Sequence, residues 1–217
     1  MHNAIGKLSS QSMQILLALV LLMTTAILPA RAAPLELVVL GDSLSSGYGL
    51  DPAEGFTIVL EQALRDEGLD IRIVNAGVAG DTSLQGLARL DWSVPEGTKA
   101  VLVELGANDA LRGKDPAETE KAIDEILTRL KARGIHVLLA GMLAPPNMGT
   151  DYETRFNPIF PRLAQKHGVL FYPFFLENVA GNRELNQADG MHPNAQGVQK
   201  IVKGILPSVK ALAEQLR

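Results

Sequence analysis

AVLVELGANDALRGKDPAETEKAIDEILTRLKARGIHVLLA, residues 100–140, is the stretch on which the fold turns. It opens with Ala100–Leu105 (AVLVEL), a short apolar, β-branched run of the kind a sheet buries on both faces. Asp115-Pro116-Ala117-Glu118 then reads as a helix start. It offers an N-cap carboxylate, a proline where no N–H is needed, and an acid in the first turn. Ile123, Ile126, Leu127 and Leu130 share one helical face, and Gly134 ends the helix. Ile135–Ala140 (IHVLLA) is a second buried strand. Strand, helix and strand in succession define a βαβ unit with parallel strands.

The same alternation continues in both directions. Upstream, Leu35–Leu40 (LELVVL) is a buried strand, Phe56–Arg65 carries helical spacing up to Gly68, and Asp70–Val74 (DIRIV) is another strand. Downstream, Tyr152–His167 has helical character disturbed by Pro158 and Pro161. A short strand begins at Val169–Phe171, and Ala195–Leu216 is a terminal helix with a kink expected at Pro207. About five strands separated by helices predict a single domain, residues 33–217, built as a three-layer α/β/α sandwich on a parallel sheet. Such a domain buries roughly 70% of its unfolded surface and needs no covalent staple.

The N-terminal residues carry a different pattern. Lys7 is followed by an apolar run from Ile15 to Leu28, then Pro29 and Ala30-Arg31-Ala32. Basic start, apolar middle and small residues at the end predict a secretory signal, residues 1–32, cut after Ala32. The run is shorter than the roughly 20 residues a membrane anchor needs, so no stable membrane insertion is expected after its removal. Cleavage leaves 18 basic against 24 acidic side chains, an acidic chain without the basic face a nucleic-acid partner requires. The chain has no cysteine, which excludes disulfides, thiolate nucleophiles and Cys-ligated metals. A periplasmic or secreted monomer is expected.

In a parallel sheet, ligands bind beyond the carboxyl ends of the strands. The segments there are Gly41-Asp42-Ser43-Leu44, Asn75–Asp81, Gly106-Ala107-Asn108-Asp109, Gly141–Asn147 and, further on, Asp189-Gly190-Met191-His192-Pro193. Ser43 is a candidate nucleophile, which needs a base within hydrogen-bond reach; taken alone it is equally an N-cap. Among four histidines, His2 leaves with the signal, His136 falls in a buried strand and His167 at a helix end. His192 remains as base, with Asp189 three residues earlier to orient its ring, although the same residues could form a capping turn. The Ser43 N–H, the Gly80 N–H and the Asn108 amide are candidate donors to an oxyanion; glycine and asparagine are also common in turns.

These blocks, Gly41-Asp42-Ser43-Leu44, Gly80, Gly106-Ala107-Asn108-Asp109 and Asp189-Gly190-Met191-His192-Pro193, resemble those of the GDSL esterases, also called SGNH hydrolases. The likeness covers essentially all of residues 33–217. It implies a flavodoxin-like fold and hydrolysis of esters and thioesters without metal or cofactor. It implies Ser43 as nucleophile, His192 as base, Asp189 as its partner, and Ser43, Gly80 and Asn108 as the oxyanion hole. Asp109–Gly113 matches the family's loop over the acyl groove, so Asp109 and Leu111 are expected at the substrate, with Met142 and Leu143. The segment Met142–Met148 is less alike, and Leu111, Met142, Leu143 and Met148 could instead be core.

Other chemistries lack their patterns. Position 45 is serine, so the Gly-x-Ser-x-Gly elbow is absent, as are dinucleotide and phosphate-binding glycine loops and the His-Glu-x-x-His zinc motif. Asp42, Asp81 and Asp109 suit turn caps better than a carboxylate hydrolase. Two alternatives remain beside a lipid-type esterase: a carbohydrate acetylesterase, for which a single tryptophan, Trp92, is a poor platform set, and a non-catalytic exported binding protein.

Overall fold

The computed structural model describes residues 35–216. The expected signal segment, residues 1–32, lies outside the described residues. Five strands form one sheet: β1 (Leu35–Gly41), β2 (Ile71–Gly77), β3 (Ala100–Glu104), β4 (His136–Ala140) and β5 (Leu170–Tyr172). All are parallel, in the order β2-β1-β3-β4-β5. Val38, Val39 and Leu40 of β1, and Val101, Leu102 and Val103 of β3, are fully buried, because helices cover both faces of the sheet.

The long helices α2 (Phe56–Asp66) and α9 (Ala195–Glu214) pack together, α2 against β2 and α9 against β4 and β5. On the opposite face α6 (Pro116–Ala132) packs on β4, flanked by α3 (Ser83–Ala88) and α8 (Ile159–His167). The domain is therefore the expected three-layer α/β/α sandwich. Helix α6 starts as its sequence predicts: the Asp115 side chain accepts from the Ala117 N–H and Pro116 is the first helical residue. Its buried face includes Ile123, Ile126, Leu127 and Leu130.

Two expectations need correction, the helix over 152–167 and the length of β2. The helix expected over 152–167 is two helices, α7 (Thr150–Phe156) and α8. Pro158 stands between them, and Pro161 falls in the first turn of α8, where no helical donor is lost. Helix α9 contains Pro207 within one element, and the missing N–H, the reason a kink is expected there, leaves the Lys203 carbonyl without its helical donor. Strand β2 runs on to Gly77, three residues past the apolar run, because Asn75, Ala76 and Gly77 pair with Val39, Leu40 and Gly41. Short helices α1 (Ser43–Ser46) and α5 (Ala107–Leu111) follow the ends of β1 and β3, and a third, α4 (Leu90–Ser93), follows α3.

In this order β1 has β2 on one side and β3 on the other, the point where chain connections diverge and leave a crevice. The segments after β1, β2 and β3 carry Ser43, Gly80 and Asn108 to that crevice rim.

Candidate active site

Ser43 is the first residue of α1, immediately beyond the carboxyl end of β1. Asp42 caps this helix: one carboxyl oxygen accepts from the Leu44 N–H at 3.0 Å, and the other accepts from the Asn108 amide at 3.0 Å. The turn is tight because Gly47 ends the helix in the left-handed region. Ser43 itself is 9% exposed, enough to open its hydroxyl to one side only.

On that side stands His192. Its Nε2 lies 3.0 Å from Ser43 Oγ, and its Nδ1 lies 2.6 Å from Asp189 Oδ2. Asp189 and His192 sit in a loop turn ahead of α9, so it is a turn closed by Asp189 that holds them together. The other oxygen of Asp189 accepts from the N–H groups of Met191 and His192. These bonds, the His192 ring foremost, hold the Asp189 carboxyl at about 2, below its ordinary value. It is ionised at neutral pH and fixes the ring with Nδ1–H toward it, leaving Nε2 to accept from the serine hydroxyl.

The loop is tied to the Ser43 turn from the other end. Gln187 donates through its side chain to the Tyr48 carbonyl and the Pro193 carbonyl, and its N–H donates to the His192 carbonyl. The Tyr48 and His192 rings lie 4.7 Å apart, tilted by 42°.

The candidate oxyanion donors come from the two neighbouring strand ends. Gly80 has φ of +86°, a conformation that suits glycine, and its carbonyl accepts from Arg112 at 2.7 Å. The same Arg112 nitrogen lies 3.5 Å from Asn108 Oδ1, so one guanidinium spans both donor segments. Among the described residues no acceptor takes the N–H of Ser43 or of Gly80. The Asn108 amide has a second hydrogen beyond the one given to Asp42. The arrangement can pass a proton from a hydroxyl to an imidazole and supply amide donors at the same strand ends.

Two residues expected at the substrate are instead interior. Asp109 is buried and spends its carboxylate on the Ser83 N–H and hydroxyl at 2.8 and 2.6 Å and on the Thr119 hydroxyl at 3.0 Å. It staples α5 to α3 and α6. Met142 is 2% exposed and belongs to the core. Leu111 and Leu143 are exposed, as are Tyr48 and Met191 on the loops of the site.

Sequence reasoning missed Arg89 and Glu104. Arg89 joins the carboxyl ends of β1 and β2: it pairs with Asp81 at 2.6 Å and donates to the carbonyls of Ala76 and Gly41. Nothing in its local sequence signals this. Glu104 has a legible signal, a lone charge inside an otherwise apolar strand.

Residues 39–200 match the model of the GDSL-like Lipase/Acylhydrolase family, and the chain belongs to that family as an ester-cleaving enzyme of the GDSL type. The chain is 40% identical over 187 residues to "Esterase TesA" of Pseudomonas aeruginosa, covering 86% of this chain and 93% of that one. It is 40% identical over 170 residues to "Thioesterase 1/protease 1/lysophospholipase L1" of Escherichia coli strain K12, covering 77% and 80%. Among solved structures it resembles the psychrotrophic esterase EstA from Pseudoalteromonas sp. inhibited by monoethylphosphonate. The TM-score is 0.78 at 31% identity, covering 83% of this chain and 99% of that one.

Proposed function

We propose that this protein is an exported serine hydrolase that cleaves carboxylic esters and thioesters through an acyl-enzyme on Ser43. The observation that carries the reading is the unbroken chain Asp189–His192–Ser43, with contacts of 2.6 and 3.0 Å, at the carboxyl edge of the sheet. In it, Ser43 Oγ attacks the carbonyl carbon while His192 Nε2 takes the hydroxyl proton, and Asp189 stabilises the imidazolium. The tetrahedral oxyanion is held by the Ser43 and Gly80 N–H groups and the Asn108 amide. His192 then protonates the departing alcohol or thiol. A water, deprotonated by the same nitrogen, releases the acid and restores the hydroxyl.

Exposed Leu111, Leu143 and Met191, on segments at this edge, suit an acyl chain. Export is read from the basic, apolar and small-residue succession over 1–32 and gives a periplasmic or secreted enzyme. Among the described residues no helix is long and apolar enough to cross a membrane.

The test is turnover by residues 33–217 of p-nitrophenyl esters of graded chain length, beside acyl-CoA, lysophospholipid and an acetylated sugar. Hydrolysis of aryl, acyl and thioesters supports the reading. Turnover of the acetylated sugar alone would replace it with a carbohydrate acetylesterase, and no turnover of any would reject it.

A further inference from the structure

Beneath the nucleophile turn lies a second carboxyl that the mechanism above does not use. Glu104 is the last residue of β3, in register with Gly41 of β1, and is fully buried. Its Oε2 accepts from the Ser45 hydroxyl at 2.6 Å and from the Asp42 N–H at 3.3 Å. Its Oε1 has no hydrogen-bond partner among the described residues. Gly41 leaves the space for it: a Cβ there would stand 2.6 Å from Oε2.

We propose that Glu104 is a positioning residue for the hydrolysis: one carboxyl oxygen grips the residues on either side of Ser43 and so sets where the serine hydroxyl stands relative to His192. This rests on the reading of Ser43 as nucleophile. A side chain kept here for packing alone would be apolar, because an unpartnered buried oxygen is a loss that a leucine avoids. What glutamate provides instead is a single acceptor facing two donors, Asp42 N–H before the nucleophile and Ser45 Oγ–H after it. Burial first, then the Asp42 charge, pushes the Glu104 carboxyl well above its ordinary range.

The experiment measures kcat, KM and thermal midpoint on a p-nitrophenyl ester for the wild type, Glu104→Leu, Glu104→Gln and Ser45→Ala. Phosphonate labelling of the wild type runs alongside. Removing the acceptor in Glu104→Leu is expected to lower kcat about 100-fold with KM moved less than about threefold, since a small misplacement of reacting groups costs about that much. Glu104→Gln keeps an acceptor oxygen and is expected to run at least about tenfold faster than Glu104→Leu. Ser45→Ala removes half the grip and is expected to lose about tenfold in kcat, which decides the matter if Glu104→Leu does not fold. Folded Glu104→Leu or Ser45→Ala with wild-type kcat and only a lowered midpoint would overturn the proposal, as would Glu104→Gln no faster than Glu104→Leu. An unlabelled wild type would sink the Ser43 reading itself, and this proposal with it.

Discussion

Asn108 and Asp42 are joined by a 3.0 Å hydrogen bond between the segments that follow β3 and β1, so the candidate oxyanion amide is held by the residue next to Ser43. The bond fixes which edge of the Asn108 side chain faces the crevice, because a carboxylate accepts only from the NH2 end. The Ser43 turn and the Asn108 amide are thus set by one buried group, and Asp42, raised to about 6 by that burial, carries this duty as an anion at neutral pH.

Asn108→Ala is expected to lower kcat by about 10²–10³ with a small effect on KM, the loss typical for one preorganised oxyanion donor. Asp42→Asn keeps a helix cap but can turn an N–H toward Asn108, and is expected to lose an intermediate amount. Steady-state kinetics of the two variants and their double mutant checks this. Full additivity of the losses would show that Asp42 does not act through Asn108.

His192→Ala is expected to reduce kcat by several orders of magnitude, leaving on the order of 10³–10⁴-fold acceleration over water from the remaining donors. Asp189→Asn should fall on the order of 10⁴-fold while still folding, because the asparagine presents the wrong tautomer partner to Nδ1. Rates near wild type in either variant would reject the base assignment.

Gly80→Ala places an L-residue at φ of +86° with its Cβ 3.3 Å from the Arg112 guanidinium. The strain alone is expected to cost roughly 1–2 kcal/mol of stability. The displaced N–H is expected to lower kcat by more than that loss of folded protein explains. Thermal melts alongside kinetics separate the two effects.

Glu104 gives a pH signature in stability. Its folded-state value lies above the unfolded one, so folding takes up a proton. The associated stability is complete below the unfolded value of 4.5 and declines as pH rises above it toward the folded value. Glu104→Gln has no proton to take up. Its midpoint relative to wild type is therefore expected to rise as pH climbs from about 4.5 through neutrality. A difference that stays flat over that span would mean that Glu104 is charged in the fold.

The layers of the fold were legible because β1, β3 and β4 are each built on a buried apolar run, Leu37–Leu40, Ala100–Val103 and Val137–Ala140. The edge strand β2 was read short, since its last three residues are held by pairing with β1 and have no apolar signal of their own. Pro158 announced a disturbance but not that it would separate two helices. Ser43, Asp189 and His192, which the structure joins by contacts of 3.0 and 2.6 Å, could be singled out because only four histidines are present and the three residues stand in recognisable blocks. Asp109 could not be assigned correctly from its position after a strand: whether a loop carboxylate faces solvent or ties α5 to α3 and α6 depends on Ser83 and Thr119, which are distant in sequence. The four bonds of Arg89 were invisible for the same reason.

The most direct measurement is intact-mass and peptide analysis after treatment with a fluorophosphonate. One adduct per chain, located on Ser43, and none on Ser43→Ala with its turnover abolished, is the expected result. An adduct on another residue, or undiminished ester turnover by Ser43→Ala, would contradict the assignment of Ser43 as the acylated group.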